Sequence, residues 1–348
     1  MTKSSALSKG QKSRLLALAV IFVLLLVAPA VLDLGVSTMS ILITVLLYMY
    51  YASAWNIMGG YTGLFSLGSG IYIGLGAYIT ACLYCELGIS PWAGIIIAGV
   101  VTGLFSMLIG YPTFKLQNIY YSFATFAILL AMLTVFKNFK TIGGLKLGGA
   151  EGYKIPTGYS PMNMQFTSKL PYYYIILALL VIILLASYLI SHSRYGYYFR
   201  AISANKDAAS SLGVNVIGMK LRAQFISAFF FAVGGGFYCM FMNYIDPSKL
   251  FGNDLSINIM VMCVVGGANT LWGPVVGAGL MYTVNRVVTI YAASISGLAN
   301  IVFGVVLMLV VLFMPGGLLP FFKDYREKRA AARRKVELEA ETKGGGQK

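Results

Sequence analysis

The residues able to do chemistry are few, and their spacing argues against most enzyme classes. Cys82 and Cys85 form a CxxC pair, the spacing of redox and metal sites, but neither a second pair nor a nearby histidine accompanies them. They close an apolar run, where small buried core cysteines are the ordinary reading. The single histidine, His192, stands between Ser191 and Ser193 at the end of another apolar run, which suits a surface role better than ligation. There is no GxxxxGK[ST] phosphate loop, no HExxH and no GxSxG with a plausible acid and base. "GGLKLGG" (143–149) has glycines and a lysine, but the lysine lies between the glycines and no Ser or Thr follows. The expectation is a chain that does not itself hydrolyse ATP, with no metal site and no cofactor of its own.

Composition says where such residues must be held. Of 348 residues, 58% are hydrophobic and 11% charged, far from the balance of a soluble protein. Each crossing of a hydrocarbon core about 30 Å thick needs roughly 20 apolar residues, and runs of that length recur along the chain. Backbone polar groups in lipid must pair internally, which leaves helices and closed barrels. Runs such as "ILALLVIILLASYLI" (176–190) do not alternate as barrel strands must. The expected fold is therefore an all-α integral membrane protein, a polytopic helical bundle. Its ten predicted spans are 14–35, 38–58, 61–85, 91–110, 118–137, 171–191, 222–243, 255–272, 275–294 and 297–317.

An even number of spans puts both termini on one side. Lys3, Lys9, Lys12 and Arg14 begin the chain, and Lys323, Arg326, Lys328, Arg329, Arg333, Arg334 and Lys335 mark its tail, so that side is cytoplasmic by the positive-inside rule. The division is a cytoplasmic segment 1–13, a transmembrane region 14–320 and a basic cytoplasmic tail 321–348, with segment 192–221 inside and 138–170 outside. Parity carries this orientation. The segment from 137 to 169 holds Lys137, Lys140, Lys146, Lys154 and Lys169 against Glu151, as many cations as the segment from Arg194 to Arg222. The apolar part of the first run exceeds a signal peptide's usual 7 to 15 residues, and a second span follows at once, so it reads as a retained helix. The net charge of +15 fits a membrane surface and not a nucleic acid, because no basic and aromatic stripe accompanies it.

Glycine is the informative residue type. "GGYTGLFSLGSGIYIGLGAYITA" (59–81) sets Gly59 four residues before Gly63 and Gly70 four before Gly74, leaving smooth faces for close helix packing. The alternative is that Gly60, Gly63, Phe65, Ser66, Gly68, Ser69 and Tyr72, with Asn56 just upstream, lie where a helix thins or breaks beside a translocation path. "VVGGANTLWGPVVGAG" (264–279) repeats that chemistry with Gly266, Gly267, Asn269, Gly273 and Pro274. Arg286 is the chief ionisable residue within the predicted spans, and it should face protein or water in a structural or gating role. No intramembrane carboxylate accompanies it, which argues against ion coupling. A third stretch, "NKDAASSLGVNVIGMKLRAQ" (205–224), is different in kind: a compact polar helix ending at Gly213 between two apolar runs.

Four blocks, "GGYTGLFSLGSGIYIGLGAY", "RYGYYFRAISANKDAASSLGVNVIGMKLRAQFISA", "VVGGANTLWGPVVGAG" and "IVFGVVLMLVVLFMPGGLL", together resemble the permease subunits of branched-chain amino acid ABC importers, in particular the LivM-like group. The resemblance runs from about residue 38 to 320. It implies an all-helical importer half working with a second, LivH-like permease, two ATPase subunits that carry ATP and Mg, and an extracytoplasmic solute-binding protein. It also implies a cytoplasmic coupling helix seated on the ATPase. Asp207, Ala208, Ala209 and Gly213, following Asn205, match that helix's pattern as D-A-A-x-x-x-G. Small alanines permit close seating, Asp207 favours the helix dipole and can meet a basic partner, and Gly213 can take the left-handed geometry that stops the helix. Arg194 and Arg200 lie just upstream, where they can pin the loop to phosphates or acidic groups. Ser69 stands where the family often has a histidine, so no imidazole role carries over. Extra lysines in "TIGGLKLGGAEGYKIP" leave the substrate open between hydrophobic amino acids and urea, short amides or another small solute. A secondary transporter or intramembrane enzyme is the reading from a different class.

Overall fold

The computed structural model describes residues 35–116, 118–142, 145–291, 298–314 and 316–321. The predicted span 14–35 lies outside them except for Gly35, and the basic tail except for Phe321. The described chain is mostly helical. In order, the helices are α1 (Val36–Trp55), which continues as a π-turn over Asn56–Gly60, α2 (Ser69–Cys85), α3 (Pro91–Thr113) and α4 (Asn118–Asn138). They continue with α5 (Leu170–His192), α6 (Arg194–Ala204), α7 (Lys206–Ser211) and α8 (Val216–Met242). The last four are the short turn α9 (Pro247–Leu250), then α10 (Asn253–Gly266), α11 (Gly273–Tyr291) and α12 (Leu298–Phe313).

Among the described residues, six helical stretches are long and apolar enough to cross a membrane: Val36–Gly60, Pro91–Thr113, Ile119–Asn138, Leu170–His192, Val216–Met242 and Pro247–Gly266. The helix Ser69–Cys85 is apolar but shorter. The expected span 61–85 is thus corrected: its helix starts only at Ser69, because Gly63 adopts φ +71 and the backbone from 63 to 68 leaves the helix.

Helix α8 is the spine of the bundle, packing along both α2 and α3. Its "GGG" run makes this possible. A Cβ at Gly235 would collide with the Ile73 carbonyl, and one at Gly76 would collide with that of Ala232, so the two backbones cross in direct contact. On α3, Gly99 and Gly103 receive the rings of Phe229 and Phe225. Around this crossing the core gathers Tyr50, Trp55, Ile71, Phe237 and Phe251, all fully buried.

The two ends of α8 carry different structures. Before its N-terminus come α6 and α7, joined to α8 by a turn that Asn215 caps, its side-chain oxygen accepting from the Gly218 amide at 2.9 Å. Beyond its C-terminus, Tyr244–Ile245 pairs antiparallel with Tyr153–Lys154, which docks the 141–165 loop there. At 27 residues, α8 separates these ends by about 40 Å.

Candidate functional site

The residues expected at the translocation path divide into three places. The first joins the two Gly-rich segments. Asn56, buried in the π-turn, accepts from the Asn269 amide at 2.8 Å and donates to the Thr270 carbonyl at 2.8 Å. A Cβ at Gly60 would strike the same Asn56 side chain and the Asn269 amide, so Gly60 keeps the contact close. Asn269 itself has φ +65, and Gly267, at φ +115, leaves the helix that Gly266 ends. The extra residue of the π-turn aims Asn56 at this turn, as π-bulges often aim a functional side chain.

The second place is the break before α2. Its non-helical backbone is held by side chains: the Trp55 indole donates to the Ser66 carbonyl at 2.9 Å, Ser122 donates to the Phe65 carbonyl at 2.5 Å, and the Leu67 amide donates to Thr125 at 3.2 Å. Irregular backbone among membrane helices needs such partners. Gly68 lies against the Thr125 carbonyl, and Ser69 begins α2 with a buried hydroxyl that has no hydrogen-bond partner among the described residues. Phe65 is half exposed and packs on Trp55, with ring centroids 5.6 Å apart. Tyr72 is buried and accepts from Gln224 at 2.7 Å. Gln224 also donates to the Ser106 carbonyl at 2.8 Å, linking α2, α3 and α8. Around Ser66, Tyr72, Tyr121 and Gln224 only about 10 Å³ is open, so this place is packed shut.

The third place holds Arg286 alone of the expected set. It lines a cavity of about 620 Å³ together with Ser40, Tyr48, Tyr51, Asp254, Asn258 and Tyr282. These residues come from along α1, the first half of α10 and the second half of α11, at the end where α8 finishes. Tyr48 and Tyr282 stack at 4.8 Å on its wall. The sequence reading missed Asp254, because the predicted span began one residue later. In the structure it is exposed in the first turn of α10, at the cavity wall.

The stretch 194–213 lies at the other end. Asn205 caps α7, its side-chain oxygen accepting from the amides of Asp207 and Ala208, both at 3.0 Å. Gly213, at φ +83 with open space around it, turns the chain after α7. Ala209 does not line an outer seat. It is buried against Ile202 and Val216 and fixes α7 on α6 and α8, while Asp207, Ala208 and Leu212 face outward. Leu212 is 85% exposed, an apolar side chain that the alanine pattern did not bring to notice. Arg194 is exposed at the start of α6, and Arg200, also exposed, donates to the carbonyls of Gly196 and Ser191 and lies over the Tyr197 ring. Arg200 thus ties α6 to the end of α5. Gly63 connects this end to the break, since a Cβ there would sit 2.7 Å from the Ser203 hydroxyl of α6.

A helical membrane bundle with two helix breaks joined across the core and a capped polar helix beyond its end has the parts of a permease. Residues 37–311 match the family model described as branched-chain amino acid transport system / permease component. The chain belongs to this family. The high-affinity branched-chain amino acid transport system permease protein LivM of Salmonella typhimurium is 24% identical over 336 residues, covering 89% of this chain and 75% of the relative. LivM of Escherichia coli is 22% identical over 321 residues, covering 85% and 73%. The probable branched-chain amino acid transport permease protein LivH of Methanocaldococcus jannaschii is 24% identical over 258 residues, covering 72% and 80%. No solved structure matches the chain. It is a permease subunit of a transport system, a multi-pass membrane protein and not an enzyme.

Proposed function

We propose that the chain is the LivM-like half of an ABC importer that moves branched-chain or other hydrophobic amino acids across a prokaryotic cell membrane. A solute-binding protein delivers the amino acid outside, a second permease completes the pathway, and two ATPase subunits, which carry ATP and Mg, drive it. In this reading the chain has ten spans, the six apolar stretches above together with the shorter helix Ser69–Cys85 and the runs 14–35, 275–294 and 297–317, and both termini are cytoplasmic. The chain contributes no ATP-binding motif.

The presentation of α7 carries the proposal. Its hydrogen-bonded cap, its buried Ala209 and its short links to α6 and α8 make it stiff, so a push on its outer face reaches α8 without being lost in a loop. Ala208, Asp207 and Leu212 are the surface that meets the ATPase. Interface anchors are worth about 2 kcal/mol or more, roughly a 30-fold change in affinity. Leu212→Asp and Ala208→Trp should therefore leave membrane insertion intact, strip most of the ATPase subunits during purification and abolish solute-stimulated ATP hydrolysis. A variant pair that keeps full ATPase association and full uptake would show α7 to be an ordinary connector.

A further inference from the structure

The cavity at the far end of the bundle is unlike the packed places where the glycines meet. Its volume of about 620 Å³ falls in the range of small-molecule sites, and three charged side chains line it: Arg286, Asp254 and Lys249, the last paired with Asp246 at 3.9 Å. Arg286 enters from α11 and Asp254 from α10, and neither takes part in the two ion pairs found among the described residues, Lys140 with Glu151 and Lys249 with Asp246. Tyr51, 98% buried, lines the same cavity, and its hydroxyl has no hydrogen-bond partner among the described residues. Ile41, Leu47, Ile73 and Leu255 supply apolar wall between these polar groups.

We propose that this cavity is the chamber that first receives the solute, and that it binds a zwitterionic α-amino acid with an apolar side chain. The Arg286 guanidinium takes the carboxylate, Asp254 faces the ammonium, the Tyr51 hydroxyl is free to bond either end, and the aliphatic wall accepts the side chain. With Lys249 engaged by Asp246, Arg286 and Asp254 are left as charges of opposite sign in one cavity with no ion-pair partner among the described residues, and they match the dipole of a zwitterion and leave an uncharged amide or urea without compensation. The volume exceeds what one amino acid fills, so the solute is held loosely, as rapid passage requires. The inference rests on the importer reading and adds to it the groups that recognise the solute.

The test uses the assembled importer, with its binding protein and ATPases, in vesicles. Asn258→Cys, also on the cavity wall, should react with a membrane-impermeant maleimide beyond the background set by the four native cysteines, and excess leucine should slow that reaction several-fold. Arg286→Gln and Asp254→Asn should each keep ATPase association and lower leucine uptake at least tenfold, and Asp254→Asn should lose discrimination against the 2-hydroxy analogue of leucine, which lacks the ammonium. If the unmodified complex imports leucine while leucine fails to protect Asn258→Cys and both charge variants transport normally, the chamber is overturned and the importer reading stands. If the unmodified complex imports no amino acid at all, the importer reading is overturned and the chamber with it.

Discussion

Asn56 holds together two segments that stand 213 residues apart, and it does so with both functions of one amide. Replacement by alanine would leave the Asn269 amide and the Thr270 carbonyl without their partner, each at a cost of about 1–3 kcal/mol where water cannot enter. Asn56→Ala should therefore lower the unfolding temperature of the detergent-solubilised chain by several degrees, while Asn56→Asp, which keeps the acceptor, should recover part of the loss. Equal melting curves for all three would show that the joint carries no load. The sequence marked Asn56, Gly60 and Asn269 separately as path residues, since small and polar residues in an apolar run attract notice. Their mutual bond was not legible, because nothing in spacing reports a contact across the fold. The same holds for Gln224, which no motif distinguishes and which bonds to Tyr72 and Ser106 from a third helix.

At the scale of elements, α7 was legible because its signals are local: an acidic first turn, small alanines and a glycine stop. What the pattern could not say is which way each face points. Ala209 turned inward and Leu212 outward, and the alanine pair therefore splits between a core contact and a docking surface. The start of α2 was misplaced for a related reason. The segment 61–68 is apolar enough to read as helix, but Gly63 in left-handed geometry and the bonds from Trp55, Ser122 and Thr125 to the backbone over 65–67 favour the break. Gly213 allows a clean test of backbone geometry, since a Cβ there meets nothing within 4 Å and only the dihedral is strained. The left-handed conformation costs an ordinary residue roughly 1–2 kcal/mol, and asparagine tolerates it best. Gly213→Val should weaken ATPase co-purification, and Gly213→Asn should stay near the parent. The reverse order would remove the requirement for a left-handed stop.

For the whole molecule, apolar runs sufficed to identify a helical membrane bundle, because each run must satisfy its own backbone in lipid. Orientation is a separate matter, since lysines around 137–169 rival the cations around 194–222 in number. The structure gives a way to decide it, because the two loops sit at opposite ends of one continuous helix. Tyr153–Lys154 pairs with Tyr244–Ile245 just past the C-terminus of α8, and α7 lies before its N-terminus, so the two cannot face the same compartment if α8 spans the bilayer. Tyr159 is 68% exposed in the first loop, and Leu212 is 85% exposed at the other end, so each accepts cysteine without disturbing a core. With an impermeant maleimide, Tyr159→Cys should be labelled in intact spheroplasts, and Leu212→Cys only in inside-out vesicles or after permeabilisation. The opposite pattern would place α7 outside the cell, beyond the reach of any cytoplasmic ATPase, and with it the coupling role would fall. Labelling in the predicted sense would put the cavity of Asp254 and Arg286 on the side from which a binding protein delivers, as stepwise import requires.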